Sequence, residues 1–176
     1  VEGRLEKKGF GLLKNEDINM TYLEGSFKKY SKLSDNFYIA SGVSGKITLG
    51  DKLLFNHRNI LGFGNTFVRG FEYYTVNGNN MILSKTNLKY RILPQKVINL
   101  PFIKAKKFKT VPLSFYLNFY SDAAYAYNNI TSPVNKLNNT FLYGQGIGID
   151  FVTYYDKIFR LEYSINSFNE KGIFMH

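Results

Sequence analysis

The 176-residue chain contains no cysteine and no tryptophan, only four prolines and only two histidines. Without cysteine there is no disulfide, no thiolate metal site and no marker of redox compartment. His57 and His176 stand far apart with no carboxylates at ligand spacing, so no metal site is expected. No run of about eighteen apolar residues is present, which excludes a membrane-spanning helix, and no signal peptide is visible. A Ser-His-Asp arrangement, a phosphate-cradling glycine loop and a metalloprotease helix are also missing. No catalytic residue and no cofactor are therefore assigned, and an enzyme is not expected. The length fits one domain. Beginning at Val1 without a methionine, the chain is expected to be a mature or excised piece of a larger protein.

What the chain has in excess is aromatic and basic. Its 14 tyrosines and 16 phenylalanines make up 17% of the residues, more than a small soluble core needs. Sheets with an apolar outer face and membrane interfaces use such residues. Lys plus Arg exceed Asp plus Glu by 23 − 13 = +10, a balance that suits nucleic acid or anionic lipid head groups. No recognisable nucleic-acid module accompanies the charge, so nucleic acid is not expected as a partner.

The periodicity is that of strands. In 113–125, Leu113, Phe115, Leu117, Phe119 and Ala123 fall on one face, and Ser114, Tyr116, Asn118, Tyr120 and Asp122 on the other. In 158–166, Phe159, Leu161, Tyr163 and Ile165 oppose Arg160, Glu162, Ser164 and Asn166. In 146–155, Ile147, Ile149 and Phe151 oppose Gly148, Asp150 and Tyr154. In 81–92, Ser84, Thr86, Leu88, Tyr90 and Ile92 oppose Lys85, Asn87, Lys89 and Arg91. In 37–49, Phe37, Ile39, Val43, Ile47 and Leu49 oppose Tyr38, Ser44, Lys46 and Thr48. A noisier strand is expected over 22–33, and strands over 1–13 and 172–176 at the chain ends, about eight in all.

Most of these reach nine or more residues, the length a tilted strand needs to cross a bilayer, whereas globular strands average five or six. The expected fold is all-β, a transmembrane antiparallel β-barrel. A soluble lipocalin-like barrel or sandwich also alternates and is the competing reading. If the apolar faces meet lipid, every backbone group must be paired within the wall. The polar faces, carrying Lys85, Lys89, Arg91, Asp122, Asp150, Arg160 and Glu162, then line the interior. Asp150 and Glu162 are expected in a structural ion network with Arg160 rather than as an acid/base pair.

The connections sort by length. Ser34-Asp35-Asn36 and Tyr155-Asp156-Lys157 are expected to be short turns; 15–20, 50–80, 128–143 and 167–171 are longer. That is the alternation of short and long connections found in outer-membrane barrels. The 93–112 connection breaks it, being long where parity asks for a short turn, with Pro94, Pro101 and Pro112 and five lysines from Lys96 to Lys109. The lysine run is expected to be a solvated loop, contact with anionic lipid or a partner protein being the alternative.

Long connections without regular structure are usually functional or disordered. Leu53, Leu54, Phe55, Ile60, Leu61, Phe63, Phe67, Val68 and Phe71 give 50–80 enough apolar surface to pack. Arg69, between Val68 and Gly70, is then carried into a packed environment where its charge requires a carboxylate. An ordinary surface arginine in a turn is the plainer alternative. A loop folded into the lumen brings Arg69 to Asp122 or Asp150; Gly70 permits a sharp backbone turn beside it, and Phe71 wedges against the wall.

Val68-Arg69-Gly70-Phe71 resembles the Val-Arg-Gly-Phe/Tyr loop motif of the BamA/TamA superfamily of outer-membrane barrels, the surface-antigen or POTRA-barrel type. Tyr120-Ser121-Asp122-Ala123-Ala124 is similar to that family's aromatic-x-Asp-x-Gly strand motif, with Ala124 in place of the glycine. Gly146-Ile147-Gly148-Ile149-Asp150 and Arg160-Leu161-Glu162-Tyr163-Ser164 resemble the last strands of the Bacteroidetes-like branch. The resemblance covers essentially all of the chain. It implies that 1–176 is the C-terminal half of a barrel of about sixteen strands, preceded by POTRA domains. It further implies that 50–80 is a long extracellular loop in the lumen, that Asp122 pairs with Arg69, and that 172–176 begins the closing strand. The implied function is insertion, assembly or translocation of proteins at the bacterial outer membrane. The implied partners are outer-membrane lipids, client outer-membrane proteins and accessory assembly subunits. A two-partner-secretion-type transport pore and the barrel anchor of an upstream patatin-like lipase are the alternatives.

Overall fold

The structure is a computed structural model, and it describes residues 2–8, 19–52, 58–64, 66–99, 110–129, 137–153 and 157–175. Its elements are all strands: β1 Glu2–Lys8, β2 Asn19–Lys32, β3 Phe37–Lys52, β4 Asn59–Leu61, β5 Val76–Asn77, β6 Asn80–Asn99, β7 Thr110–Tyr127, β8 Phe141–Val152, β9 Ile158–Asn166 and β10 Lys171–Met175. Eight of them form one antiparallel sheet in the order β1-β2-β3-β6-β7-β8-β9-β10. Consecutive amphipathic strands joined by hairpins need only fold back on their predecessor, and a meander results. β1 and β10 are its two edges, and no pairing joins them among the described residues. Among the described residues the sheet is therefore open and does not close as a barrel by itself. No helix among the described residues is long and apolar enough to cross a membrane, which says nothing about strands.

The two faces of the sheet have the polarity of a water-soluble sheet turned inside out. In β7, Asn118, Tyr120 and Asp122 are buried, while Phe119 is 44% exposed and Tyr125 and Tyr127 are open as well. In β9, Glu162, Ser164 and Asn166 are buried, while Phe159, Tyr163 and the 49%-exposed Leu161 are not. In β3, Thr48 is buried while Phe37, Val43, Ile47 and Leu49 face away from the protein. Strict two-residue periodicity carries this segregation along each strand.

The polar face is covered at one end by the connection between β3 and β6. Ile60, Leu61, Val68, Phe71 and Val76 pack on Met81 and Leu83 of β6, Ala124 and Ala126 of β7, Leu142 of β8, and Leu137. The alanines leave space for a second layer to approach. The connection was expected to lack regular structure, but β4 and β5 pair with each other inside it. Bonds from Gly62 N–H to the Thr66 carbonyl (2.8 Å) and from Gly78 N–H to that of Arg58 (2.7 Å) fold it tightly. Gly62 adopts φ +95°, and a Cβ there would lie 2.1 Å from the Tyr74 carbonyl oxygen. Residues 53–57 and 65, including Leu53, Leu54 and Phe55, lie outside the described residues.

The 93–112 stretch also departs from expectation. β6 runs on to Asn99 and β7 begins at Thr110, paired Lys96 with Leu113, Val97 with Pro112, Ile98 with Val111 and Asn99 with Thr110. Much of the expected loop is thus strand. Pro94 sits where the register shifts between Leu93 and Lys96, a place where a missing N–H costs no ladder bond. Residues 100–109, with Pro101 and four of the five lysines, lie outside the described residues, as do His57, His176 and 154–156 of the turn at Tyr155-Asp156-Lys157.

Truncating an inward side chain beneath the connection and an outward one on the same strand separates the two faces. Leu142→Ala, at 1% exposure, is expected to lower unfolding free energy by about 2–5 kcal/mol in denaturant titrations. Ile149→Ala is expected to cost far less; equal losses contradict this placement of the core.

Candidate functional site

Four cross-strand rows on the polar face build the site. Reading from β6 to β9, they are Lys85-Asp122-Gly144-Asn166, Asn87-Tyr120-Gly146-Ser164, Lys89-Asn118-Gly148-Glu162 and Arg91-Tyr116-Asp150-Arg160. The third column supplies Gly144, Gly146 and Gly148 at alternate positions of β8, so between Leu142 and Asp150 the inward face of that strand is a trough without side chains. Neighbouring groups occupy it. A Cβ on Gly144 would lie 1.8 Å from the Arg69 carbonyl oxygen, one on Gly146 2.4 Å from the Tyr120 hydroxyl, and one on Gly148 2.7 Å from Cγ of Glu162.

Arg69 lies over this trough at 4% exposure. Its Nε donates to Oδ2 of Asp122 at 2.8 Å and its Nη2 to Oδ1 at 2.6 Å, while its backbone N–H donates to Oδ2 at 3.1 Å. Asp122 is itself completely buried, so the fork-to-carboxylate contact is made away from water, where such bonds are strongest. Nη1 donates to Asn87 Oδ1 at 2.6 Å and to Glu162 Oε1 at 3.2 Å. The guanidinium carbon sits 3.7 Å from the centre of the Tyr120 ring, a cation–π contact, and the Tyr120 hydroxyl is hydrogen-bonded to Ser164. Three strands, β6, β7 and β9, thus hold one side chain from a connection.

The backbone around Arg69 is fitted to this seat. Gly70 takes φ +92°, a left-handed conformation that glycine adopts without steric cost. Its N–H donates to Glu72 at 2.7 Å, and its carbonyl accepts from Asn166 Nδ2 at 2.8 Å. Val68 is buried in the apolar cluster, and Phe71 meets Phe168 and Tyr74 edge-on, ring centres 5.5 and 5.7 Å apart. Beyond it, Glu170 accepts from Asn166 Nδ2 and from the Tyr74 hydroxyl, both at 2.7 Å. Those two bonds, Asn166's first, hold the Glu170 carboxyl below its usual range. The motif therefore grips β7 through Arg69 and the β9–β10 turn through its flanks.

Of the two carboxylates expected for Arg69, Asp122 binds it and Asp150 does not. Asp150 instead accepts from Arg160 Nε at 2.7 Å, Arg160 Nη2 at 3.0 Å and Lys89 Nζ at 2.5 Å. The register explains the difference. Asp122 stands opposite Gly144, six residues from Asp150 along β8, about 20 Å of strand. Glu162 links the two clusters: its Oε1 takes Arg69 on one side, Asn118 Nδ2 at 3.2 Å, and lies 3.6 Å from Arg160 Nε. The sequence does not single out Glu162, Tyr120 and Asn87 as holding Arg69, nor Asn166 as holding the Gly70 carbonyl. The glycines at alternate inward positions of β8 were the available signal, since a trough implies something laid in it. The arrangement is built to fix a segment against a wall. Among the described residues no group of three or more His, Cys, Asp or Glu could hold a metal ion.

Gly144→Ala sets a methyl group against the Arg69 carbonyl and is expected to displace the loop, lowering thermal stability by about 1–3 kcal/mol and exposing 58–79 to protease. Gly45→Ala, whose nearest obstacle lies at 3.5 Å, is the control and is expected to change stability by less than about 0.5 kcal/mol. An unaltered loop in Gly144→Ala contradicts the seat.

No family model, no curated protein and no solved structure matches this chain, so its function is argued from the geometry above.

Proposed function

We propose that this chain is the C-terminal half of a bacterial outer-membrane β-barrel of the BamA/TamA kind, a non-enzymatic protein that inserts, assembles or translocates other proteins at that membrane. The observation that carries the reading is a sheet apolar on its exposed face and polar on its covered face, with a loop arginine seated on the polar side. Outward aromatics mark both ends of the strands: Phe115, Phe151 and Phe159 share a row toward the short turns, and Tyr125 shares one with Phe141 toward the loops, with the Leu117-Ile149 and Phe119-Ile147-Tyr163 rows between. From Phe115 to Tyr125 is 125 − 115 = 10 residues of β7, about 33 Å of strand. At a tilt of about 40–45° this gives roughly 24 Å of height, close to the ~25 Å apolar band between the aromatic girdles of outer-membrane barrels.

In this reading the free edges of β1 and β10 are completed by the N-terminal half of the barrel, because no backbone group can stay unpaired in hydrocarbon. The short β10 forms the seam at which a client strand pairs. The seated loop braces the wall from within, holding β6, β7, β8 and β9 in one arrangement next to that seam. Lipids outside, client outer-membrane proteins at the seam and accessory assembly subunits are the partners, and no cofactor takes part.

The test uses the protein carrying this chain, reconstituted in liposomes, with an unfolded outer-membrane barrel as client. It is expected to accelerate client insertion, and Arg69→Ala is expected to lose most of that acceleration. Ion conductance without any effect on client insertion supports the transport pore instead, and failure to associate with the liposomes contradicts the reading altogether.

A further inference from the structure

The β6–β7 hairpin outgrows the sheet. β3 begins with Phe37 opposite Tyr90, and β8 ends with Val152 opposite Ser114. Past those points, among the described residues, the two strands pair only with each other, out to Asn99 and Thr110. The root of this ribbon is fixed, since Arg91 Nη2 donates to the Asp35 carbonyl at 2.8 Å and to Asn36 Oδ1 at 3.2 Å. Its stem is exposed. Val97 is 65% and Ile98 39% exposed, and as neighbours in a strand they point to opposite faces. A lone two-stranded ribbon is marginal in water, and aliphatic side chains on both faces make it more so.

We infer that this ribbon is a membrane-surface anchor, docking among the anionic phospholipid head groups of the leaflet at the short-turn end. The inference rests on the membrane reading above. Three observations select the occupant. The ribbon grows out of the Phe115/Phe151/Phe159 row, the margin of the apolar band, so it starts at head-group depth. The described ribbon residues, 93–99 and 110–112, include no Asp or Glu, and Lys96 among them is exposed. A lysine at that depth favours an anionic leaflet. A ribbon crossing a head-group layer has lipid on both faces, which suits aliphatic side chains on both. An acidic protein surface matches the charge but accounts for neither the two apolar faces nor the origin of the ribbon at the aromatic row. Strand addition along the ribbon is disfavoured by Pro94 and Pro112, which offer no N–H.

This chain holds no cysteine, so once any cysteine elsewhere in the full protein is replaced by serine, a single introduced one is a unique label site. The full protein, carrying Ile98→Cys on the ribbon or Leu117→Cys on the wall, is coupled to a polarity-sensitive fluorophore. It is then reconstituted in phosphatidylcholine vesicles with and without phosphatidylglycerol. The label at 117 is expected to report an apolar setting in both, and the label at 98 only with phosphatidylglycerol. Adding Lys96→Glu to the ribbon-labelled protein is expected to weaken that response at least about fivefold. A label at 98 that stays in water in both, or is equally buried in both, overturns the inference while the wall label upholds the membrane reading; the first result assigns the ribbon to a protein surface. A wall label in water overturns the membrane reading, and the anchor with it.

Discussion

A guanidinium cannot be taken out of water without a carboxylate to meet it, and the pairing of Arg69 with Asp122 is the constraint on which the rest of this structure depends. Both groups are buried, and their three contacts run from 2.6 to 3.1 Å. Removing Arg69 leaves the buried Asp122 carboxylate without its guanidinium, and removing Asp122 leaves Arg69 only the longer carboxylate contact, to Glu162, a loss of about 3–5 kcal/mol. The pair also fixes position, because planar fork-to-carboxylate geometry admits one orientation. Once Arg69 is fixed, Val68 and Phe71 fall into the apolar cluster on either side of it, and the Gly70 carbonyl meets Asn166. The ion pair supplies register, and apolar burial supplies most of the adhesion.

That seat and the outer face of the sheet have a common origin. Charged and amide side chains occupy the inward positions of β6 to β9, and aromatic and aliphatic ones the outward positions. In water such a sheet would hide its outer face against a second layer; here the second layer lies on the polar side, and the apolar side is left open. Small residues decide where the layer can approach. Ala124 and Ala126 admit Val68 and its neighbours, and Gly144 of β8 admits the backbone at Arg69. Ala124, which departs from the glycine of the motif this strand resembles, is buried against the loop rather than disturbing it.

Much of this was legible in the residue order. Two-residue alternation marks five strands and tells their faces apart, three more are expected without a face assignment, and eight strands form the sheet. An arginine within an apolar connection announced a buried carboxylate, and Asp122 is bonded to it. Choosing Asp122 over Asp150 needed the β7–β8 register, which depends on a turn whose geometry alternation does not specify. The length of β6 and β7 was hidden for a related reason. Pro94 and Pro112 read as breakers, yet one sits at a register shift and the other on a ribbon with no further neighbour, so neither interrupts a ladder. The β4–β5 pairing was hidden because strands of two or three residues carry no period. Glu162 was recognised as part of a charge network, but its reach to Arg69 depends on Gly148 leaving its stem room.

The central claim is that a connection is locked to the sheet chiefly through the Arg69–Asp122 ion pair, and a double-mutant cycle on Arg69→Ala and Asp122→Ala measures it most directly, with Asp150→Ala as the comparison. The account predicts that the Arg69/Asp122 double variant loses far less unfolding free energy than the sum of its single variants, and that Arg69 and Asp150 combine additively within about 0.5 kcal/mol. Additivity at Asp122, with each single variant near wild-type stability, would show that the guanidinium is not held there and would contradict the account.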